Sequence, residues 1–229
     1  MLTAYAATVL SAGYVTLKLA GSALALSVVL GLTGALCKLS SSAVLRTLAG
    51  IYTSTVRGIP DLVLMLLMFY SLPTLCNDLI AAAGFEYFVE FDPFIAGMLT
   101  LALIFGAYMT ETFRGALLTI PKGQVEAARA YGLGPVKTFV RIQLPQMARL
   151  ALPGFTNNWL VLLKATALAS LIGLQDVMLT AKGAAEATGQ PFTFYLIAGA
   201  FYLALTIASV LVLMWIGRRL DLGTREMPR

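Results

Sequence analysis

Histidine is absent from this 229-residue chain, and cysteine occurs only at Cys37 and Cys76. A zinc or similar site needs several such ligands close together, so the sequence predicts no Cys/His metal site. The two cysteines fall at opposite ends of predicted membrane spans, beyond disulfide reach, so no intrachain disulfide is expected. A Gly-x-x-x-x-Gly-Lys-Ser/Thr phosphate loop is also missing, and any nucleotide hydrolysis is therefore expected on another polypeptide.

Charge is scarce as well. Only 12% of residues are charged, 59% are hydrophobic and the mean hydropathy is +0.85. Soluble domains have about 25% charged residues, so the composition predicts an integral membrane protein. A helix needs about 20 apolar residues to cross the bilayer, and five stretches are long enough. They lie at about 9–36, 59–76, 93–113, 153–178 and 192–216. We expect an all-α protein with five transmembrane helices and a single domain over residues 1–229.

The basic residues predict an orientation, because Lys and Arg concentrate in cytoplasmic loops. They follow the first, third and fifth stretches, whereas the other two connections and the N-terminus have few. The basic set comprises Lys38, Arg46, Lys122, Arg129, Lys137, Arg141, Arg149, Arg218, Arg219, Arg225 and Arg229. The pattern predicts the N-terminus outside and the C-terminus in the cytoplasm. It accounts for the net charge of +5 as a topology signal, and no nucleic-acid partner is expected.

The loop at about 119–150 is the one large polar interruption. Residues 126–145 read Glu-Ala-Ala-Arg-Ala-Tyr-Gly-Leu-Gly-Pro-Val-Lys-Thr-Phe-Val-Arg-Ile-Gln-Leu-Pro. Gly132 is suited to end a first helix in a left-handed conformation, and Pro135 to begin a second. The alanines keep one face thin enough for close approach. The segment predicts a helical hairpin that docks a cytoplasmic partner, although an ordinary hairpin of another transporter is the alternative.

These residues resemble the motif of membrane subunits of bacterial ABC importers. The motif is Glu-Ala-Ala, a Gly four positions after the second Ala, nine residues, and Ile-x-Leu-Pro. The matching residues are Glu126, Ala127, Ala128, Gly132, Ile142, Leu144 and Pro145, with no departure in spacing. The resemblance implies the type I ABC importer permease fold and a coupling function for this loop. We call residues 119–150 the coupling loop.

Further segments are similar to permeases for polar amino acids. They are Arg57–Leu67, Tyr108–Gly115, Pro121–Gln124 and Leu163–Leu168. The Arg-Gly-x-Pro-Asp start of the second span is most similar to a membrane subunit of histidine and lysine/arginine/ornithine permeases. Opine and other amino-acid systems share these segments, so they stay open as alternatives.

The resemblance implies a translocation subunit of a bacterial inner-membrane importer that is not itself an enzyme. Two membrane subunits, identical or paralogous, would form the path. A cytoplasmic ABC ATPase dimer would hold the ATP and Mg, so this chain would bind no cofactor. A periplasmic binding protein would deliver the amino acid.

Ionisable and polar residues inside the spans are candidates for the substrate path, because burying charge in a bilayer is costly. Arg57 and Asp61 stand four apart and could meet on one helical face. Glu111 could meet a cationic ligand or a basic side chain. Thr166 and Ser170, also four apart, could put two hydroxyls on a pore face, or merely allow close helix packing.

Asp176 either meets ligand or binding protein at the entrance or only caps a helix. Asn157 and Asn158 could line a gate or hydrogen-bond at a helix start.

Two other functions compete with the importer. A membrane-embedded enzyme would need convergent catalytic residues, and a channel or secondary transporter would not need the coupling motif.

Overall fold

The computed structural model describes residues 2–221, which form helices joined by turns and by one irregular stretch at 85–92. The helices are α1 (Leu2–Ser11), α2 (Gly13–Leu39), α3 (Ala43–Gly58), α4 (Asp61–Leu66), α5 (Leu72–Ala82), α6 (Pro93–Thr119), α7 (Lys122–Ala130), α8 (Pro135–Thr138), α9 (Leu144–Ala165), α10 (Val177–Thr188) and α11 (Pro191–Asp221). Wider π-helical turns join α4 to α5 and α8 to α9, and a 3₁₀ segment extends α9.

Five helical stretches are long and apolar enough to cross a membrane, as predicted. They are Thr3–Leu39, Asp61–Ala82, Pro93–Thr119, Pro135–Ile172 and Pro191–Leu220, called spans 1 to 5 below. The prediction misplaced both ends of span 4. It starts 18 residues before the predicted 153, because the second half of the coupling loop runs directly into it. It ends at Ile172 instead of 178, because Gly173 takes a left-handed φ of 86°.

Span 3 lies at the centre of the molecule, where α6 packs against α2, α3, α4 and α9. Glycine permits the closest of these contacts. A methyl group on Gly31 would overlap Met109, and one on Gly34 would overlap the Thr110 side chain. Packing of this kind provides much of the attraction between helices in a bilayer, where lipid tails are as apolar as the side chains. Spans 1 and 3 therefore approach each other closely at these two glycines.

A helix that the sequence analysis did not predict precedes span 2. α3 exposes Val44, Leu48 and Ile51 on one side and buries Thr53 on the other. Its Tyr52 donates a hydrogen bond to the carbonyl oxygen of Leu103, near the middle of α6, at 2.6 Å. The chain then turns extended at Ile59 and Pro60 before α4 begins. Spans 1 and 2 are thus joined by a helix that runs beside span 3.

The connection between spans 4 and 5 is also helical, although the predicted spans, ending at about 178 and starting at about 192, left room only for a short connection. α10 packs against α1 and α11 around Val9, Val177, Ala181 and Phe194, all fully buried. It ends at Gly189, whose φ is 67°. This small cluster lies on the side predicted to face outwards.

Two of the four C-terminal arginines used to predict the orientation lie within the described residues. Arg218 and Arg219 occupy the last turn of α11, and Arg219 lies 5.3 Å from the ring of Trp215. Arg225 and Arg229 lie outside the described residues. Which end faces the cytoplasm stays a prediction from the charge pattern.

Candidate coupling loop and substrate path

The first half of the coupling loop is a short helix with a well-defined end. α7 stops at Ala130, and Gly132 takes the left-handed conformation predicted for it, with φ of 80°. Leu133 N donates to Ala128 O at 3.0 Å and Gly132 N to Arg129 O at 2.9 Å. This pair of bonds is the Schellman arrangement, which satisfies the last carbonyls of a helix.

The motif residues of α7 divide into an outward and an inward set. Glu126 and Ala127 are exposed, and the adjoining Tyr131 is 88% exposed. Ala128 is buried and therefore packs within the loop, instead of contributing to a thin outer face. The outward set leaves an acidic group, a small side chain and an aromatic ring open to a partner.

The sequence suggested that the second half of the loop is a separate short helix, and the structure differs. Pro135 begins α8 as predicted, but a π-helical turn over Phe139–Gln143 connects α8 to α9 without a break. Pro145 has no N–H to donate to Arg141 O, so the turn before it can widen. The loop is consequently continuous with span 4.

The last motif residues anchor this helix to the protein. Leu144 packs against a cluster that includes Phe113 and Ile120 at the end of α6 and Met147 of α9. Ile142 is half-buried and Pro145 is exposed. Gln146 adds a contact that the sequence gave no signal for. Its Nε2 donates to Gln124 Oε1 at 2.6 Å and to Ile142 O at 2.8 Å, which closes the hairpin.

Arg57 and Asp61 do not share a helical face, which corrects the prediction from their spacing. α3 ends at Gly58, the chain is extended at Ile59 and Pro60, and Asp61 is the first residue of α4. A proline disfavours helix at the residue before it, which explains the break.

The break places the two side chains separately. The Arg57 side chain is exposed on this chain, with its guanidinium 5.1 Å from the centre of the Tyr108 ring. Asp61 is half-buried, and α4 packs against the 3₁₀ segment Thr166–Ile172. Two irregular stretches of backbone therefore meet beside span 3.

Glu111 pairs with basic side chains, one of the two alternatives predicted for it. It forms an ion pair with Lys38 at the end of span 1 and another with Arg114 at 2.9 Å. Its charge is thus compensated within the chain.

Thr166 and Ser170 do not form the predicted common face. The segment is a 3₁₀ helix with about three residues per turn, so positions four apart diverge. Thr166 is fully buried and donates to Leu163 O at 2.7 Å. Ser170 is half-buried and donates to Ala167 O at 2.8 Å.

Two further polar residues have structural contacts. Asn158 donates to Thr112 Oγ1 at 3.0 Å and so ties α9 to α6. Asp176 caps α10 by accepting from Leu179 N at 2.8 Å, one of the roles predicted for it.

No group of three or more Cys, Asp or Glu side chains that could hold a metal ion occurs among the described residues. Cys37 and Cys76 are both free thiols.

Comparison with known proteins identifies the class of this molecule. Residues 27–226 match the family of binding-protein-dependent transport system inner membrane components. The chain therefore belongs to this family, and it is a multi-pass membrane protein. The resemblance recognised in the coupling motif is confirmed.

Three relatives of named function are similar to this chain over most of its length. The chain is 46% identical to the histidine/lysine/arginine/ornithine transport system permease protein HisQ of Salmonella typhimurium, over 99% of each chain. It is 42% identical to the octopine transport system permease protein OccQ of Rhizobium radiobacter, over 87% of this chain and 84% of that protein. It is 45% identical to the arginine ABC transporter permease protein ArtQ of Haemophilus influenzae, over 69% and 70%.

Solved structures share the fold. A crystal structure of an amino acid ABC transporter with histidines matches with a TM-score of 0.79 and 30% identity, covering 95% of this chain and 96% of that one. An inward-facing MetNI methionine ABC transporter matches with a TM-score of 0.73 at 18% identity, over 95% and 96%. The five-span, all-α architecture is that of ABC transporter permeases, as predicted.

Proposed function

We propose that this chain is the permease subunit of an ATP-driven, binding-protein-dependent importer of basic amino acids, namely histidine, arginine, lysine and ornithine. The observation that carries the proposal is the 46% identity, end to end, with a permease named for those four substrates. Similarity to an arginine permease supports the same class of substrate. An opine is the second candidate, supported by 42% identity to an octopine permease.

The partners follow from the coupling loop. A cytoplasmic ABC ATPase holds ATP and Mg and receives the α7 helix in a surface groove, a common mode of helix recognition. The exposed Glu126, Ala127 and Tyr131 form the surface that it contacts. The rigid end at Gly132 keeps α7 in a fixed pose, so movement of the ATPase moves the whole loop. This chain translocates substrate and hydrolyses nothing.

The remaining assembly consists of a second membrane subunit, identical or paralogous, and a periplasmic binding protein, all at the bacterial inner membrane. Continuity of the coupling loop with span 4 supports the proposed mechanism. ATP-driven closure of the ATPases displaces α7. This displacement shifts the continuous helix that runs from α8 through α9 to the 3₁₀ segment. The spans then change from inward-open to outward-open, and hydrolysis resets them.

The substrate path lies at the break between α3 and α4. Transporters commonly bind substrate where spans are interrupted, because the freed backbone groups and helix ends can serve the ligand. Asp61 would bind the cationic side chain or the α-ammonium group, and Arg57 the carboxylate. Ser170 lies on the 3₁₀ segment that packs against α4 and would supply a neutral contact. Glu111 and Thr166 instead hold the walls of the path, because their polar groups are already paired.

The test is uptake of labelled arginine by vesicles with this chain, its partner subunits and the binding protein. Uptake that requires ATP and is inhibited by excess histidine, but not by glutamine, is the expected result. Inhibition by glutamine, or no arginine uptake, would contradict the basic-substrate assignment. Uptake without ATP would contradict the importer assignment itself.

A further inference from the structure

Asp176 has an unusual buried side chain. Its side chain is fully buried between span 4 and α10. One carboxyl oxygen accepts the hydrogen bond that caps α10, from Leu179 N at 2.8 Å. The other, Oδ2, is buried with no hydrogen-bond partner among the residues that the structure describes. Buried polar atoms are nearly always paired, so this oxygen calls for a physical explanation.

Neutral hydroxyls surround the group. The backbone N–H of Val177 donates to Thr16 Oγ1 of α2 at 3.3 Å. Tyr202 of α11 is close enough for its phenol to interact electrostatically with the Asp176 carboxyl. The Tyr202 hydroxyl lies 3.5 Å from Thr166 Oγ1. Spans 1, 4 and 5 and α10 thus converge on one carboxyl group.

No cation compensates the charge within residues 3–220. Burial raises the pKa of Asp176 to about 6, and only backbone N–H groups oppose that rise. The other titratable side chains at this end of the packed elements are Tyr5, Tyr14, Lys18, Lys182, Glu186 and Tyr195. The two basic side chains in this set contact other groups. Lys18 lies 5.0 Å from the Phe94 ring, and Lys182 pairs with Glu186 at 3.9 Å on the exposed side of α10.

We propose that Asp176 is a proton-controlled contact that fastens α10 to spans 1 and 5 when protonated and loosens it when ionised. Protonation removes an uncompensated buried charge and gives Oδ2 a proton to donate towards the surrounding hydroxyls. Ionisation leaves a charge that water can stabilise only if α10 moves away. Because this end is predicted to face outwards, the packing would respond to the external pH.

The direction follows from proton linkage. A freely exposed aspartate has a pKa near 3.8, and the buried one about 6. Between these values the packed state retains a proton that the opened state releases. Acid therefore stabilises the packing, and the stabilisation is lost as the pH rises through about 6. This inference requires nothing about the substrate.

Hydrogen–deuterium exchange tests it on the assembled transporter in lipid nanodiscs. Exchange of the Val177–Thr188 amides is measured at pH 5.5 and 7.5 and corrected for the intrinsic rate. We expect the opening constant of α10 to be about fourfold larger at pH 7.5, as proton linkage gives for a pKa of 3.8 in the opened state and about 6 in the packed state. In Asp176→Asn, which resembles the protonated acid and keeps an oxygen for the cap, it should be equally small at both pH values.

Asp92→Asn is the matched control. Asp92 also caps a helix, accepting from Phe94 N and Ile95 N at 3.0 Å, but it is exposed. This variant should keep the wild-type pH dependence at α10. A flat wild-type profile would overturn the proposal even if Asp176→Asn failed to fold. So would a pH dependence retained in Asp176→Asn or abolished in Asp92→Asn. Exchange is measured without transport, so failure of the basic-substrate assignment would leave this test unaffected.

Discussion

Lys38, in the last turn of α2, forms an ion pair with Glu111 of α6. The same carboxylate accepts a hydrogen bond from Arg114 Nε at 3.0 Å. One acid thus holds two basic side chains, of which Lys38 belongs to the predicted cytoplasmic positive charge. The contact joins the predicted inner ends of spans 1 and 3, beside the start of the coupling loop.

Breaking this pair should destabilise the transporter, because Glu111→Gln leaves two basic side chains without their acid and Lys38→Met removes one of the two partners of Glu111. We expect Lys38→Met and Glu111→Gln each to lower the thermal midpoint of the purified complex. The double variant should lose less than the sum, with an interaction energy of about 1 kcal/mol, because the side chains are only partly buried. Thermal unfolding in detergent measures the cycle. Additive losses would mean that the pair contributes nothing.

Gly31→Ala should disrupt the packing of span 1 on span 3. The added methyl group would overlap Met109 Cβ and lie 3.1 Å from the Met109 carbonyl carbon, so part of the obstacle is backbone. Overpacking of this kind costs about 1–3 kcal/mol. Gly21→Ala, with nothing within 4 Å of the new carbon, is the control. The midpoint of thermal unfolding should fall for the first variant only; equal midpoints would contradict the close approach.

Gly132→Ala should uncouple the ATPase from transport. An L-residue in the left-handed conformation costs about 1–2 kcal/mol, so the end of α7 would change shape. Uptake should fall while the ATPase of the complex persists. Gly134→Ala is the matched control, because Gly134 has an ordinary φ of −67° and open space for a methyl group. The ratio of uptake to hydrolysis distinguishes them. Full coupling in Gly132→Ala would contradict the docking role.

Asp61→Asn should reduce arginine uptake by about ten- to a hundredfold, the usual worth of a hydrogen bond to a charged group. The amount of chain in the membrane should be unchanged, because Asp61 is half-buried at a helix start. Asp78→Asn serves as control, since Asp78 is an exposed acid in α5, away from the break between α3 and α4. A parallel loss of protein and uptake in Asp61→Asn would indicate a folding role instead.

The five spans and the coupling motif were predictable because both are carried by local signals. Long apolar runs identify spans by length alone, and Gly132 and Pro135 determine the backbone around them. α3 and α10 were missed for the same reason. Each is shorter than a span and mixes polar with apolar residues. Their hydrophobicity therefore does not distinguish them from a connecting loop.

The arrangement of the candidate path residues was harder to predict, because it depends on where helices stop being regular. Spacing arguments for Arg57 with Asp61 and for Thr166 with Ser170 assumed continuous α-helix. Pro60 did signal the first break, since it disfavours helix at Ile59. The 3₁₀ segment has only Gly173 to mark its end, and nothing in the sequence distinguishes it from ordinary helix. Pairing such as that of Glu111 with Lys38 depends on tertiary contact between residues far apart in the chain.

The unbroken path from Pro135 to Ile172 makes span 4 a lever arm. Its 38 residues correspond to about 57 Å of helix, nearly twice the thickness of the hydrocarbon layer. From Pro135 to Thr166 the arm is about 45 Å long, so a tilt of about 5° at the loop would displace its far end by about 4 Å. That distance is comparable to the width of an amino-acid side chain. A small rotation applied by the proposed cytoplasmic ATPase would therefore suffice to widen or close a passage for one substrate molecule.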